Sequence, residues 1–320
     1  MTSRDLDVDA ILSGVHDEVG PDHRSGLVAL TGRPNVGKST LLNHLLGTKV
    51  AIVTPVPGTT RNTIRGVLTT GSEQIAFVDT PGLAKPQTLL GQRLNHLVRD
   101  TWSSVNAVVF IVDIAAGIGT GDRFLAAQLA QIGTPVIAVA NKIDEVSDKS
   151  ALLPALQSLD ALAPDGQPFV AIVPVSALTG ENTDELLRVV TQQLPHGPRL
   201  FPPDAVSDQL ERQLAAEVIR EKLIERAREE LPHSIAVVVD EVVPDEHRDD
   251  LLRIDAVIYV ERDSQKGIVI GRGGDNLKAA ATSAREELEK LLGARIHLTT
   301  HVKVAKEWQR DPKQLGRLGY

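Results

Sequence analysis

The stretch GRPNVGKST, from Gly32 to Thr40, decides how the first half of this chain is interpreted. It fits the pattern G-x-x-x-x-G-K-[ST], and it lies between an apolar run that predicts a strand and a pattern that predicts a helix over 40–46. An ordinary strand-to-helix turn would explain the glycines. A phosphate cradle explains the lysine and the hydroxyl as well, because glycines let backbone N–H groups converge on phosphate oxygens at a helix N-terminus.

Within this stretch the chemistry assigns different tasks to different side chains. We expect Lys38 to reach the β- and γ-phosphates of a nucleoside triphosphate and the Ser39 hydroxyl to bind Mg²⁺. Asp79 ends a buried apolar run in the tetrapeptide DTPG, where a carboxylate would hold the water shell of the same ion. The N–H of Gly82 in that tetrapeptide would approach the γ-phosphate.

A threonine-bearing loop, VPGTTRNTIRG, lies between these two motifs over 56–66. Such a loop is typical of a segment that closes on Mg²⁺ and the γ-phosphate and opens after hydrolysis. Of its threonines we favour Thr60 over Thr59 as the metal ligand. A bland surface loop is the alternative interpretation.

Two later motifs predict selectivity for guanine. Asp144, in NKID at the end of an apolar run, could accept hydrogen bonds from N1–H and the exocyclic amine of guanine, a donor pair that adenine lacks. Ala177, in VSAL at the end of the next run, could direct its N–H at guanine O6. Each motif alone is also consistent with a strand-end turn, and their order along the chain favours a nucleotide site.

Composition restricts the alternatives. The chain has 320 residues, 42% of them hydrophobic, and no cysteine, which indicates about two globular domains without disulfides, thiol chemistry or a cysteine-based zinc site. The N-terminus is acidic without an apolar core, and no apolar run approaches the ~18 residues of a membrane span, so we expect a cytoplasmic protein. We also expect a monomer.

The order of elements predicts an α/β domain over 25–195, with a mostly parallel sheet and helices on both faces. Residues 1–24 are expected to form a flexible extension with a short helix near Val8 to Val15, and the proline-rich residues 196–208 to form a linker. The six predicted strands are LVALT, GVLTT, IAFVDT, AVVFIVDI, PVIAVAN and VAIVPVS.

A different pattern follows over 209–320. A helix from Gln209 to Leu231, two strands, the glycine loop in VIGRGG, a helix from Asn276 to Leu292 and a last strand give the order of an α+β type II KH domain. A tight turn is the alternative explanation of the loop. The charge agrees with RNA binding, since residues 265–310 have nine Arg or Lys against five Asp or Glu, whereas residues 205–264 have eight against sixteen. The candidate RNA-binding residues are Lys266, Ile268, Ile270, Gly271, Arg272, Gly273, Gly274, Lys278 and Arg285.

Together, GRPNVGKS, PGTTR, DTPG, NKID and SAL resemble the P-loop GTPases of the Era type, and the later segments IREKL, ELPHSIAV, GRGG and HVKVAKEW extend the resemblance from Gly26 to Tyr320. The resemblance implies Mg²⁺-dependent hydrolysis of GTP to GDP and binding to the 3′ end of small-subunit (16S) ribosomal RNA. It further implies a role in maturation of the 30S ribosomal subunit. Peripheral association with the inner face of the cell membrane stays open, although no basic amphipathic anchor is evident.

One position departs from the Ras pattern. Leu83 follows DTPG where Ras-like enzymes have the glutamine that orients water, so we expect slow intrinsic hydrolysis. In similar GTPases an asparagine at the place of Asn35 supports a potassium ion, which makes K⁺ a candidate activating ion here. Lys38, Thr60 and Asn35 are therefore the candidate catalytic residues. A nucleotide-regulated RNA-binding adaptor with negligible turnover remains the alternative, and GTPases of tRNA modification or large-subunit assembly are disfavoured because they lack a single C-terminal KH module.

The candidate nucleotide-binding residues are the members of these motifs, and Ser39, Thr60 and Asp79 among them are the candidate metal ligands. They are Gly32, Arg33, Pro34, Asn35, Val36, Gly37, Lys38, Ser39, Thr40, Thr59, Thr60, Asp79, Thr80, Pro81, Gly82, Asn141, Lys142, Asp144, Ser176, Ala177 and Leu178.

The guanine contact is directly testable. In the Asp144→Asn variant an amide that can also donate replaces a pure acceptor, so GTP should bind at least about tenfold more weakly, while xanthosine triphosphate should bind relatively well. Competition titrations with the two nucleotides measure both effects. Unchanged GTP affinity in the variant would remove Asp144 from the site.

Overall fold

A computed structural model of the chain describes residues 19–54, 64–81, 88–163, 167–207, 211–227, 234–245 and 247–320. The short helix expected near Val8 to Val15 lies outside these residues, and so do Thr59, Thr60, Gly82 and Leu83.

The first domain is built on a six-stranded sheet with the order β2-β3-β1-β4-β5-β6. Every neighbouring pair is parallel except β2 and β3, which run antiparallel at one edge. Buried parallel strands have no solvent face, which is why these strands read as continuous apolar runs. The strands are β1 (Arg24–Thr31), β2 (Ile64–Thr69), β3 (Glu73–Asp79), β4 (Ala107–Asp113), β5 (Val136–Asn141) and β6 (Ala171–Pro174).

Helices cover both faces of this sheet. They are α1 (Lys38–Leu46), α2 (Leu89–Ser104), α3 (Thr120–Leu129), α4 (Leu152–Asp160) and α5 (Thr183–Gln192). Alternate residues of β4 point into two different cores: Val109 and Ile111 pack with α1 and α5, whereas Phe110 packs with α2, α3 and α4. The prediction of a mostly parallel sheet between two helical layers is therefore confirmed.

The proline-rich segment after α5 lies against the first domain. The buried Gln74 accepts the backbone N–H groups of Leu200 and Phe201 at 2.7 and 2.9 Å, and its amide donates to the Phe201 carbonyl at 2.9 Å. Farther on, the Val67 N–H donates to the Val206 carbonyl at 2.8 Å, which covers the open edge of β2. The predicted linker is thus anchored along much of its length.

The second domain has the element order predicted for a KH domain, around a three-stranded sheet ordered β7-β8-β9. The strands β7 and β8 are antiparallel, and β9 adds in parallel to β8. Its elements are α6 (Glu211–Glu225), β7 (Ala236–Asp245), β8 (Arg248–Val260), α7 (Asp263–Ile270), α8 (Asp275–Leu292), β9 (Arg295–Val304) and α9 (Pro312–Arg317).

Three details of this domain differ from the sequence prediction. The apolar segment before the glycine loop is the helix α7, which β-branched residues and Gly267 obscure in the sequence and which the buried Val269 fastens to the core. The helix α6 ends at Glu225, well before the predicted Leu231. The helix α9 was not predicted; the Asp311 side chain caps it by accepting the Lys313 N–H at 2.8 Å.

The two domains touch through α2. Leu90 packs into an apolar cluster of the second domain that includes Tyr259 and Trp308, and its N–H donates to the Gln309 carbonyl at 3.1 Å. Arg93 donates to the carbonyl of Tyr320 at 2.8 Å.

Within the described ranges, no helix combines the length and the apolar character needed to cross a membrane.

Candidate nucleotide-binding and RNA-binding sites

The glycine-rich stretch connects the carboxyl end of β1 to the N-terminus of α1. A Cβ at Gly32 would lie 2.3 Å from the Ile111 carbonyl oxygen, and a Cβ at Gly37 would lie 2.3 Å from Nδ2 of Asn141. Gly37 also has a φ of 101°, which side chains rarely adopt. Close approach to neighbouring strands therefore requires glycine at both positions.

Lys38 is the first residue of α1, and its side chain reaches back to the start of this loop. Its ammonium donates to the carbonyls of Gly32 at 3.1 Å and Arg33 at 2.8 Å, and the side chain is buried. Burial lowers the pKa of Lys38 to about 8, an effect that the nearby Asp79 carboxylate opposes. A buried ammonium with two carbonyl partners and one remaining proton is suited to receive an anionic ligand.

The proposed Mg²⁺ ligands meet directly. The Ser39 hydroxyl donates to Oδ2 of Asp79 at 2.7 Å, and Asp79 is fully buried at the end of β3. A hydroxyl and a carboxylate oxygen are the kinds of ligand that Mg²⁺ prefers, so the residues present fit this ion. Neighbouring Thr80 instead donates its hydroxyl to the Leu30 carbonyl at 2.8 Å and has a structural role.

Asn141 ties three loops together. Its side-chain amide donates to the Val36 carbonyl at 2.7 Å, and its side-chain oxygen accepts the Ala177 N–H at 2.9 Å. The first residue of NKID thus joins the phosphate loop to the SAL loop. The sequence placed Asn141 in the site without revealing this role. The Ala177 N–H already has Asn141 as its acceptor, so a contact from this N–H to guanine O6 would have to be shared.

The predicted base-binding residues lie around this point. Lys142 has a φ of 66° and forms an ion pair with Asp113 at 2.6 Å, which fixes the turn that follows β5. Asp144 is exposed in that turn, Ser176 is fully buried, and Leu178 is 73% exposed beside them. An exposed carboxylate on a well-fixed turn can accept from a base edge.

Arg33 is held by residues that no sequence motif indicated. Its Nε donates to Oδ1 of the fully buried Asp122 at 2.8 Å, and the other oxygen of Asp122 accepts the Gly119 N–H at 2.8 Å. Asp122 therefore caps α3 and orients the phosphate loop at the same time. Asn35 is exposed, with a φ of 64°. The other members of the motifs are Pro34, Thr40 and Pro81, which are described, and Thr59, Thr60 and Gly82, which lie outside the described residues.

The second candidate site is the loop between α7 and α8. A Cβ at Gly271 would lie 2.7 Å from Cβ of Asn276, whose amide donates to the carbonyls of Ile268 and Val269 at 3.2 and 3.3 Å. Asn276 thus closes the end of α7, a role that the sequence did not indicate. Gly273 and Gly274 have φ values of 64° and 86°, and a side chain added at either would meet open space among the described residues. Their backbone is accessible to a ligand.

The predicted RNA-binding side chains are not all equally available. Arg272 and Lys278 are exposed, and Ile268 is 57% exposed although it is apolar. Lys266 and Ile270 are half-buried. Arg285 instead forms an ion pair with Glu289 at 2.8 Å and lies near Glu286 at 3.7 Å, so its charge is already compensated.

Comparison with known proteins gives matches to both domains. A family model described as a 50S ribosome-binding GTPase matches residues 27–142, and a KH domain model matches residues 230–309. A protein named GTPase Era from Mycobacterium sp. (strain JLS) is 50% identical over 301 residues, with 93% of this chain and 99% of the relative covered. GTPase Era of Mycobacterium tuberculosis (strain ATCC 25177 / H37Ra) is 49% identical over 302 residues, with the same coverage.

Two solved structures are similar over nearly the whole chain, each with a TM-score of 0.89. One is Era in complex with MgGDPNP and nucleotides 1506–1542 of 16S ribosomal RNA, at 39% sequence identity. The other is a variant of Aquifex aeolicus Era bound to GDP.AlF4⁻, at 40% identity. Each covers 93% of this chain and 99% of its own.

The buried lysine predicts how nucleotide affinity depends on pH. Phosphate oxygens beside Lys38 would raise its pKa from about 8, so binding takes up a proton above that pH and affinity should fall by up to about tenfold per pH unit. Titration with GDP between pH 7 and pH 9.5 measures the slope. The Lys38→Arg variant, which keeps its charge throughout, is the matched control, since any fall that it retains comes from deprotonation of guanine. Equal slopes in the two proteins would contradict the role of Lys38.

Proposed function

Because this chain belongs to the Era family of GTPases, we propose that it binds GTP, hydrolyses it to GDP and phosphate with Mg²⁺, and binds the 3′ end of small-subunit ribosomal RNA through its KH domain. One observation supports this proposal above all others. A single solved relative contains both the nucleotide with Mg²⁺ and the RNA, and its likeness to this chain extends over both domains.

In the nucleotide site, we assign each group a part of the nucleotide or the metal ion to bind. Lys38 would bind the β- and γ-phosphates, and the backbone N–H groups around Gly37 would complete the cradle at the N-terminus of α1. Ser39 and Asp79 would hold Mg²⁺, which when bound neutralises charge that develops on the phosphates. Asp144 would accept the two N–H donors of the guanine edge. The geometry of the described residues is compatible with each role.

Turnover is expected to be slow in the isolated protein. Leu83 cannot orient a water molecule, and we propose that Thr60 and a K⁺ ion supported by Asn35 supply part of what a glutamine or an arginine supplies elsewhere. The same leucine favours the alternative of a nucleotide-regulated RNA-binding adaptor with negligible turnover. The rate of hydrolysis with K⁺ and RNA separates these two candidates.

For RNA, the loop Gly271–Gly274 would place its backbone against phosphates, with Arg272 and Lys278 adding positive charge. Ile268, which is exposed on α7, and Ile270 at the end of this helix would line an apolar groove for the bases, and the half-buried Lys266 would contribute from the same helix. Arg285 is the weakest member of the set, because Glu289 already pairs with it.

The ribosomal partner, the oligomeric state and the location of the chain are proposals as well. The family resemblance supports action on the 30S subunit during its assembly, and we further propose that the chain acts as a monomer in the cytoplasm. Association with the inner face of the membrane is a further extension that no described residue favours.

The potassium hypothesis has a direct test. GTP turnover by the unaltered chain should be faster in KCl than in NaCl at equal ionic strength, since K⁺ would stabilise charge that appears only in the transition state. The Asn35→Ala variant should lose this preference while its GDP affinity changes by less than about threefold. Equal rates in the two salts would exclude K⁺ and would leave the GTPase assignment intact.

RNA binding can be tested at the glycine loop. In the double variant Arg272→Asp with Gly273→Asp, two carboxylates face the RNA phosphates, and affinity for a single-stranded RNA of the 16S 3′ end should fall at least about tenfold. Aspartate tolerates the φ of 64° at Gly273 better than most side chains, so the fold should persist. Basal hydrolysis should be unchanged, because the nucleotide lies in the other domain.

The matched control adds the same charges at the opposite end of α8. Gly293 has a φ of 65° and open space around it, and Arg295 is exposed, so Gly293→Asp with Arg295→Asp repeats the chemistry away from the loop. This control should bind RNA within about threefold of the unaltered chain. If the loop variant is folded, as judged by thermal melting, and still binds RNA with wild-type affinity, the glycine loop is only a structural turn and not an RNA-binding site.

A further inference from the structure

Four charged side chains meet where the two domains touch. Lys49 of the first domain lies between two carboxylates of the second, Glu221 on α6 and Glu287 on α8, and it contacts Glu221 at 2.5 Å. Lys222 contacts both carboxylates as well, at 3.4 and 2.8 Å. Only 3% of the Glu221 side chain is exposed. Lys222 also pairs with Glu225 at 3.2 Å, so its charge is shared among three carboxylates. Buried carboxylates need cationic partners, and Lys49 is the second cation beside Glu221 and Glu287.

The ionic state of this cluster follows from its contacts. Burial alone would raise the pKa of Glu287, but hydrogen bonds from Lys222 and Lys49 outweigh it and lower the pKa instead. The carboxylate therefore stays ionised at neutral pH. Lys49 is therefore attracted to the full negative charge of Glu287.

Glu221 also binds the backbone of the first domain. While Oε2 pairs with Lys49, Oε1 accepts the Val53 N–H at 3.0 Å. The same short segment is tied to α1 by Asn43, whose amide donates to the Ala51 carbonyl at 2.8 Å and whose oxygen accepts the N–H groups of Val50 and Ala51 at 2.9 Å. Residues 49–53 are thus fixed from both sides.

Residues 49–53 lie in the chain between two candidate parts of the nucleotide site. It follows α1, which begins with Lys38 and Ser39, and it leads directly into the stretch that contains Thr60. We propose that Glu221, a residue of the RNA-binding domain, is a positioning residue for GTP hydrolysis. By holding Val53 and Lys49 it fixes residues 49–53, which lie in the chain between α1 and Thr60. This role of Glu221 rests on the proposed hydrolysis of GTP and does not depend on RNA binding.

The contact made by Glu221 is expected to affect the rate of GTP hydrolysis through entropy. With Glu221 in place, residues 49–53 start each turnover already ordered, whereas without it they must be ordered as the transition state forms. The direct contacts to the nucleotide by Lys38 and Ser39 are unaffected. Loss of the contact should therefore lower kcat and leave KM nearly unchanged.

Two variants of the full chain test this. Both Glu221→Gln and Lys49→Met should lower kcat for GTP, without RNA, at least about fivefold, while KM changes by less than about threefold. Because both substitutions remove the same contact, the kcat of the double variant should lie within about twofold of that of the slower single variant. Lys49→Arg keeps the charge and should restore most of the rate.

Glu289 offers a matched control. Its carboxylate also pairs with a cation, Arg285 at 2.8 Å, and also accepts a backbone N–H, that of Ile296 at 3.1 Å, but all three residues belong to the second domain. Glu289→Gln should leave kcat unchanged. An equal loss in this control would mean that any damage to the second domain slows hydrolysis, and it would overturn the proposal.

Thermal melting of each variant separates positioning from stability. A lower melting temperature with an unchanged kcat in both Glu221→Gln and Lys49→Met would show a purely structural contact and would also overturn the proposal. Failure of the unaltered chain to bind RNA would contradict the proposed RNA function and would not affect this result. Failure to hydrolyse GTP would contradict both.

Discussion

The side-chain amide of Asn141 is the contact on which the nucleotide site depends. It joins the Val36 carbonyl to the Ala177 N–H, so one buried group holds the phosphate loop and the SAL loop against the end of β5. The amide lies so close to Gly37 that no Cβ fits there. Carboxyl ends of parallel strands meet at one edge of a sheet, and Asn141 turns that general property into a defined geometry.

Charges around this point are arranged for an anionic ligand. A buried lysine with a lowered pKa lies at the phosphate loop, and beside it a serine hydroxyl donates to a fully buried aspartate. An arginine of the same loop is held by a buried aspartate, which compensates its charge. Such an arrangement costs stability in the chain alone, because burial disfavours the charge on Lys38. A bound polyphosphate with Mg²⁺ would compensate these charges, which is the physical reason that the site suits a nucleoside triphosphate.

The second domain is connected to this site by contacts at two places. Near α1, Glu221 and Glu287 bind Lys49, and Glu221 binds the Val53 backbone. Near α2, Leu90 and Arg93 bind the C-terminal part of the chain. The glycine loop, our candidate RNA-binding site, leads into α8, the helix that carries Glu287. One helix of the second domain therefore lies both at this loop and at the contact with the first domain.

Local patterns in the sequence determined the strands, the phosphate loop and the KH element order, because apolar runs, glycines and a lysine at fixed spacing have only a few stable arrangements. They did not reveal α7, whose helix depends on burial of Val269, or the end of α6 at Glu225. Nor did they reveal the partners of Asn141, Arg33 and Arg285, or the cluster around Lys49. Each of these depends on side chains far apart in the chain, and only the tertiary structure brings such residues within hydrogen-bonding distance.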